Sequence, residues 1–234
     1  MMKNIKYKLI AVSAFLLIGA ASVGEVKAQN YQSVISYEEI MKNNNSKNQK
    51  VQDWKELITE LKNSTALTEK EKVKLINRFW NTNLYSSSDL IVWGKSDYWA
   101  TPVESLTKGA GDCEDFVLGK YLSLLAVGVS ETKLKLSYVK VRVGGLTSDL
   151  YESHMVLEYK DKDNTFILDN MVKSLKDKSK RIDLVDVFSF NSSGIYVKGV
   201  YQSPAENIKL WADYKQRITP NTYVKNNLTA KLKH

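Results

Sequence analysis

Residues 112–128 read DCEDFVLGKYLSLLAVG and carry the only cysteine of the 234-residue chain, Cys113, behind Asp112 and ahead of Glu114 and Asp115. Phe116, Val117, Tyr121, Leu124 and Leu125 recur at helical spacing, with Leu118 and Leu122 widening the face, so the stretch predicts a helix that buries one broad side. Asp112 is a favoured N-cap residue, Asp115 three residues on completes the capping pattern, and Gly128 marks the stop. Beyond Gly128 the period falls to two. LKLSYVKVRV (134–143), HMVLEYK (154–160), NTFILDN (164–170) and GIYVKGVY (194–201) read as strands. Upstream, VQDWKELITELKN (51–63) and LTEKEKVKLINRFWNT (67–82) read as amphipathic helices, the second opened by a Thr68–Glu71 capping box. Their apolar stripes are core and receive no other role. This order points to an α+β domain: a helical hairpin, then the Cys113 helix packed on an antiparallel sheet. Residues 83–108 read as irregular, 203–218 as a last helix, and the basic tail as frayed.

A single thiol among carboxylates poses a chemical problem. Nearby negative charge disfavours a thiolate, so either Cys113 is an ordinary buried thiol or other groups activate it. The first turn of a helix offers unpaired N–H groups and the positive end of the dipole. A cysteine nucleophile still needs a base. Of the two histidines, His234 is the last residue, which leaves His154. It begins the strand HMVLEYK, and the next strand ends in Asp169 across the turn-rich KDKDN (160–164). With the turn centred between Asp161 and Lys162, Glu158 faces Thr165, Val156 faces Ile167 and His154 faces Asp169. Met155, Leu157, Tyr159, Phe166 and Leu168 then share the apolar face. Opposed side chains about 4.5–5.5 Å apart at Cβ allow an imidazole–carboxylate hydrogen bond. The expectation is a Cys113–His154–Asp169 triad: thiol as nucleophile, imidazole as base and later acid, carboxylate as orienter. The Cys113 N–H is the natural oxyanion donor, with Tyr98 or Trp99 as a second.

The ends of the chain bear on compartment. MMKNIKYK carries three lysines, LIAVSAFLLIGAASV (9–23) runs fifteen residues without charge, and Val26 and Ala28 sit at small-residue positions before Gln29. Residues 1–28 therefore read as a cleaved secretory signal, too short in its apolar run to span a bilayer stably. The signal holds +3 of the formal +8, so the remaining 29–234, one domain with 29–48 loosely ordered, carries about +5. That charge is spread along the chain, with no basic block and no nucleic-acid motif. One cysteine excludes an internal disulfide and multi-cysteine zinc sites; in an exported protein it is a reactive thiol or an intermolecular link.

DYWATPVESLTKGAGDCEDFVLGKYLSLLAVGV (97–129), SHMVLEY (153–159), FILDNM (166–171) and FSFNSSGIYV (188–197) together resemble the bacterial transglutaminase-like cysteine proteinases of the LapG type, over roughly residues 50–215. The resemblance implies a papain- or transglutaminase-like fold, with the triad on Cys113, His154 and Asp169. It implies a periplasmic endopeptidase that cuts a large surface adhesin near its N-terminus, often at a dialanine, releasing it and detaching cells from biofilms. It also implies an inner-membrane cyclic di-GMP receptor that sequesters the protease. Calcium, held by the acidic residues beside the cysteine, here Asp112 and Glu114, would offset their charge. Without the resemblance, the same carboxylates read as a capped helix start. Two alternatives stay open: amide chemistry of another kind, such as a cell-wall peptide amidase or a transglutaminase, and an inactive binding module on the same fold.

Overall fold

The Thr68 hydroxyl accepts the Glu71 N–H at 3.3 Å, and the Glu71 carboxylate accepts the Thr68 N–H at 2.8 Å. This reciprocal box starts the second helix of the expected hairpin. The computed structural model describes residues 37–42, 46–145 and 147–218. The expected export signal, residues 29–36 and the tail after 218 lie outside the described residues.

A short helix α1 (Tyr37–Lys42) precedes the hairpin of α2 (Gln49–Asn63) and α3 (Glu69–Asn83). Residues 83–108 are more ordered than the sequence pattern suggested. They hold β1 (Tyr85–Ser86), α4 (Asp89–Trp93) and α5 (Pro102–Lys108). The signals are present but short: α5 has Pro102 at its start and a complete Thr101–Glu104 capping box, and one or two turns give no periodicity to read. β2 (Ala110–Gly111) pairs in parallel with β1 and delivers the chain into α6 (Cys113–Ala126). Gly128 follows at φ 91°, the left-handed position that ends the helix.

Seven strands then form one antiparallel sheet: β3 (Leu134–Val143), β4 (Leu150–Asp161), β5 (Asn164–Leu168), β6 (Lys176–Asp177), β7 (Leu184–Asn191), β8 (Gly194–Val197) and β9 (Val200–Ser203). Their order is β6-β5-β4-β3-β7-β8-β9, and α7 (Lys209–Ile218) follows. The α+β expectation holds. Two details differ. GIYVKGVY is a hairpin rather than one strand, because Lys198 and Gly199 both take positive φ at a two-residue turn. And residues 184–191 add a strand with a weak apolar alternation.

The core lies between the helices and one sheet face, where Leu136, Met155, Leu157, Tyr159, Leu168 and Phe190 are buried. Its centre is polar at one atom. The Ser123 hydroxyl on α6 accepts the Trp54 indole N–H at 2.8 Å and the Trp80 indole N–H at 2.9 Å, and donates to Gly119 O at 2.6 Å. The three central helices meet at this hydroxyl. Gly119 is required there: an added Cβ would lie 2.5 Å from the Trp80 ring. The close approach fixes α6 against α3 and so sets where Cys113 enters the sheet.

Candidate active site

Cys113 is the first residue of α6, half-buried, so its backbone N–H precedes the first intrahelical bond. Asp112 occupies the N-cap position, but its side chain makes no capping bond, contrary to the expectation from its residue type. The thiol instead meets two groups. Sγ donates to Glu114 Oε2 at 2.8 Å, and the Met155 N–H on β4 points at it. Burial, then the charge and hydrogen bond of Glu114, then the charge of Asp112 push the thiol pKa well up, against the pull of the Met155 N–H. Among the carboxylates as they stand, the thiol keeps its proton.

His154 is the residue before Met155, and its ring is buried. Nε2 lies 2.8 Å from Asp169 Oδ1, which leaves Nδ1 as the free nitrogen. The pair does not form by the register expected from the turn. β4 and β5 pair two residues further along, with Leu157 opposite Leu168 and Tyr159 opposite Phe166. Lys162 at φ 54° places the turn after Asp161 rather than centring it on the Asp161–Lys162 bond. His154 faces Val139 on β3, and Asp169, just past the end of β5, reaches it diagonally. A shift of two keeps every side chain on its original face, so the contact survives the error. No hydrogen bond joins Cys113 Sγ to the His154 ring; the Met155 backbone is what brings the thiol to the strand.

Asp169 is fully buried and heavily supported. Oδ1 also accepts the Met171 N–H at 2.9 Å, and Arg181 Nη1 lies 2.8 Å from Oδ2 as an ion pair. Burial pushes this carboxyl up. The His154 bond and charge, the Met171 N–H and the Arg181 charge outweigh it and hold the pKa at about 2. Arg181 is itself clamped by Asp183 at 2.7 Å. From the helical layer, Asn81 Nδ2 donates to Asp169 O at 2.8 Å and Asn77 Nδ2 to Lys173 O at 2.8 Å. The α3 stripe, read from sequence as core alone, thus also carries the amides that hold the Asp169 loop. Arg181, Asn77 and Asn81 had no sequence signal, since their partners are far along the chain.

Of the two acidic residues named for metal, Asp112 joins a cluster and Glu114 borders it. Asp89, Asp112 and Asp115 each offer a carboxylate oxygen within 4.8 Å of the others. Asp89 Oδ2 accepts the Tyr98 N–H and Asp115 Oδ1 accepts the Ala100 N–H at 2.8 Å. Asp89 Oδ1, Asp112 Oδ1 and Asp115 Oδ2 are buried without a hydrogen-bond partner. Burial first, then mutual repulsion that includes Glu114, pushes Asp112 up to about 9; for Asp115, also chiefly by burial, the pKa rises to about 8. Three orphaned buried oxygens converging in this way suit a hard cation. Asp89 was not foreseen, because residues 83–108 read as irregular and nothing in the sequence brings it to Asp112 and Asp115.

The proposed second oxyanion donors fare differently. The Tyr98 hydroxyl donates to Glu104 at 2.8 Å and accepts from Arg217 at 2.6 Å, so it is committed away from the thiol. Trp99 is buried, stacked on Phe190 with centroids 6.0 Å apart. Tyr138, paired across the sheet with Met155, has its pKa raised first by burial and then by the charges of Glu114, Asp97 and Cys113. A thiol at a helix start near a buried imidazole–carboxylate pair is the combination of groups that acyl-transfer chemistry requires.

The model of the bacterial transglutaminase-like cysteine proteinases matches residues 33–181. The structure of Legionella pneumophila LapG is 30% identical with a TM-score of 0.61, covering 72% of this chain and 87% of that one. Its calcium-bound form is 29% identical with a TM-score of 0.63, covering 77% and 98%. Comparison with curated protein sequences finds no significant match. The chain belongs to the bacterial transglutaminase-like cysteine proteinases.

Proposed function

We propose that this cysteine proteinase is an exported, calcium-dependent endopeptidase that cuts a large surface adhesin near its N-terminus and so releases cells from a biofilm. The observation that carries the catalytic reading is the buried His154–Asp169 pair at 2.8 Å, beside the strand residue whose N–H meets the Cys113 thiol. In this reading His154 Nδ1 takes the thiol proton and Cys113 Sγ attacks the scissile carbonyl carbon. The oxyanion forms against the Cys113 N–H. The imidazolium then protonates the leaving amine, and water hydrolyses the thioester with His154 as base. Asp169, ionised and fixed by Arg181 and Asn81, keeps Nε2 as the donor and Nδ1 toward the thiol.

Calcium would be held by Asp89, Asp112 and Asp115, with Glu114 at the rim; its charge would offset the carboxylates that now keep the thiol protonated. The orphaned oxygens of the three aspartates support this site, as does the calcium-bound form of the Legionella relative. Placement in the periplasm and sequestration by an inner-membrane cyclic di-GMP receptor extend the same proposal. No helix among the described residues is long and apolar enough to cross a membrane.

The test incubates the protein with N-terminal fragments of the large adhesins of its own host, in Ca²⁺ and in excess EGTA, beside Cys113→Ala. One discrete cut, lost in EGTA and in the variant, is expected. Cleavage of purified murein peptides with no cut in any adhesin fragment would move the substrate class to the cell wall.

A further inference from the structure

Arg217, in the last turn of α7, grips the segment that leads into the nucleophile helix. Nη1 donates to the Tyr98 hydroxyl at 2.6 Å and to Glu104 Oε2 at 3.3 Å, and Nη2 donates to the Trp99 main-chain oxygen at 2.5 Å. The guanidinium also lies over the Tyr98 ring, 4.5 Å from its centroid. Packing fixes where this fork stands. Trp211 of α7 is fully buried, edge-on to Tyr121 of α6 at 6.1 Å and to Phe190 of β7 at 5.4 Å. Trp99 stacks on the same Phe190, so the helix and the segment share one seat.

The other side of the segment serves the aspartates. The Tyr98 N–H donates to Asp89 Oδ2, and the Ala100 N–H donates to Asp115 Oδ1 at 2.8 Å. The Trp99 oxygen and the Ala100 N–H are the two ends of one peptide group. That group is planar, so anchoring its oxygen sets the direction of its N–H. A cation on the oxygen also polarises the N–H and strengthens its bond to the carboxylate. With Oδ1 committed in this way, Asp115 Oδ2 is the oxygen left without a partner, like Asp89 Oδ1 and Asp112 Oδ1. We propose that Arg217 is a positioning residue for the cation: acting through the Trp99–Ala100 peptide on Asp115, and through the Tyr98 anchor on Asp89, it sets how tightly the acidic cluster holds Ca²⁺. The helix that follows the sheet is thereby part of the metal site without touching the metal. This inference rests on the calcium reading of the cluster and on no particular substrate.

Its test is a calorimetric titration of the full chain with Ca²⁺, beside urea unfolding in EGTA. In Arg217→Met, which keeps an apolar stem against α7, the Kd for Ca²⁺ should rise about tenfold, the usual loss when the group behind a metal ligand is removed. A residue that only fastens α7 would lower stability in EGTA and leave the Kd where it was. An unchanged Kd therefore overturns the proposal, whatever the stability. Should Arg217→Met not fold, Arg217→Lys decides. It keeps the charge but not the planar fork that reaches the Tyr98 hydroxyl and the Trp99 oxygen together, so the Kd should still rise severalfold, and a wild-type Kd would again overturn the proposal. Asp115→Asn separates the two readings. If it leaves the Kd unchanged, the cluster is not the calcium site and both readings fail; if it weakens binding and the Arg217 variants do not, only the role of Arg217 falls.

Discussion

The Asn81 side chain donates to the main-chain oxygen of Asp169 at 2.8 Å, across 88 positions of sequence. Helix α3 thereby holds the loop whose carboxylate orients His154. The loop is anchored by amides from one layer and charge from another, so small losses in either should appear in catalysis before they appear in the fold.

Asn81→Leu removes that donor and leaves the main-chain oxygen of Asp169 short of a partner, while Lys173 O keeps the Asn77 amide. The expected cost is about 1–3 kcal/mol of stability, read from urea unfolding. The kcat for a cleaved peptide should fall while KM changes little, since substrate contacts are untouched. Loss confined to KM would place Asn81 in substrate binding instead.

Asp169 predicts a pH limit. Its folded pKa of about 2 lies below the roughly 3.9 of an unfolded aspartate. A depressed carboxyl contributes stability that is present above the unfolded value and lost as pH falls through the folded one. The protein should therefore lose about 2 kcal/mol between about pH 4 and pH 2 from this group alone. In Arg181→Gln the folded pKa of Asp169 moves back toward the unfolded value, so the acid-dependent loss should be smaller and complete at a higher pH, and the variant should be less stable at neutral pH by about 3 kcal/mol. Denaturant titrations across the acid range measure both; identical acid profiles would remove Arg181 from the network.

The acidic cluster predicts a metal response. A cation at a hundredfold excess over its Kd stabilises the folded state by about 2.7 kcal/mol. Adding Ca²⁺ to the EGTA-treated protein should raise its melting temperature by several degrees. Asp89→Asn should abolish most of that rise, since it removes one of three converging oxygens. Full retention of the rise would move the ion away from Asp89.

Gly119→Ala tests the helix approach that aims Cys113. The new methyl would meet the Trp80 ring at 2.5 Å, and strain of this kind costs typically 1–3 kcal/mol. Ser123→Ala should cost a comparable amount by stranding the Trp54 and Trp80 indole N–H groups. Melting curves for both variants are the check, and a neutral Gly119→Ala would mean α3 and α6 can separate freely.

Local chemistry was readable wherever neighbours in sequence are neighbours in space. The α2, α3 and α6 periodicities, the Thr68–Glu71 box and the alternation of β3 to β5 depend on residues a few positions apart, so the α+β architecture and the side on which each residue lies followed from the chain alone. The His154–Asp169 contact was legible for the same reason, and it tolerated a register error of two because faces repeat with that period. Tertiary structure decided what depends on long loops closing. Asp89 meets Asp112 and Asp115 because β1 pairs with β2. Arg181 and Asn81 meet Asp169 because the sheet folds back onto α3. Such partners leave no periodic trace, since a buried charge needs an opposite charge or a donor close in space and is indifferent to how much chain lies between them.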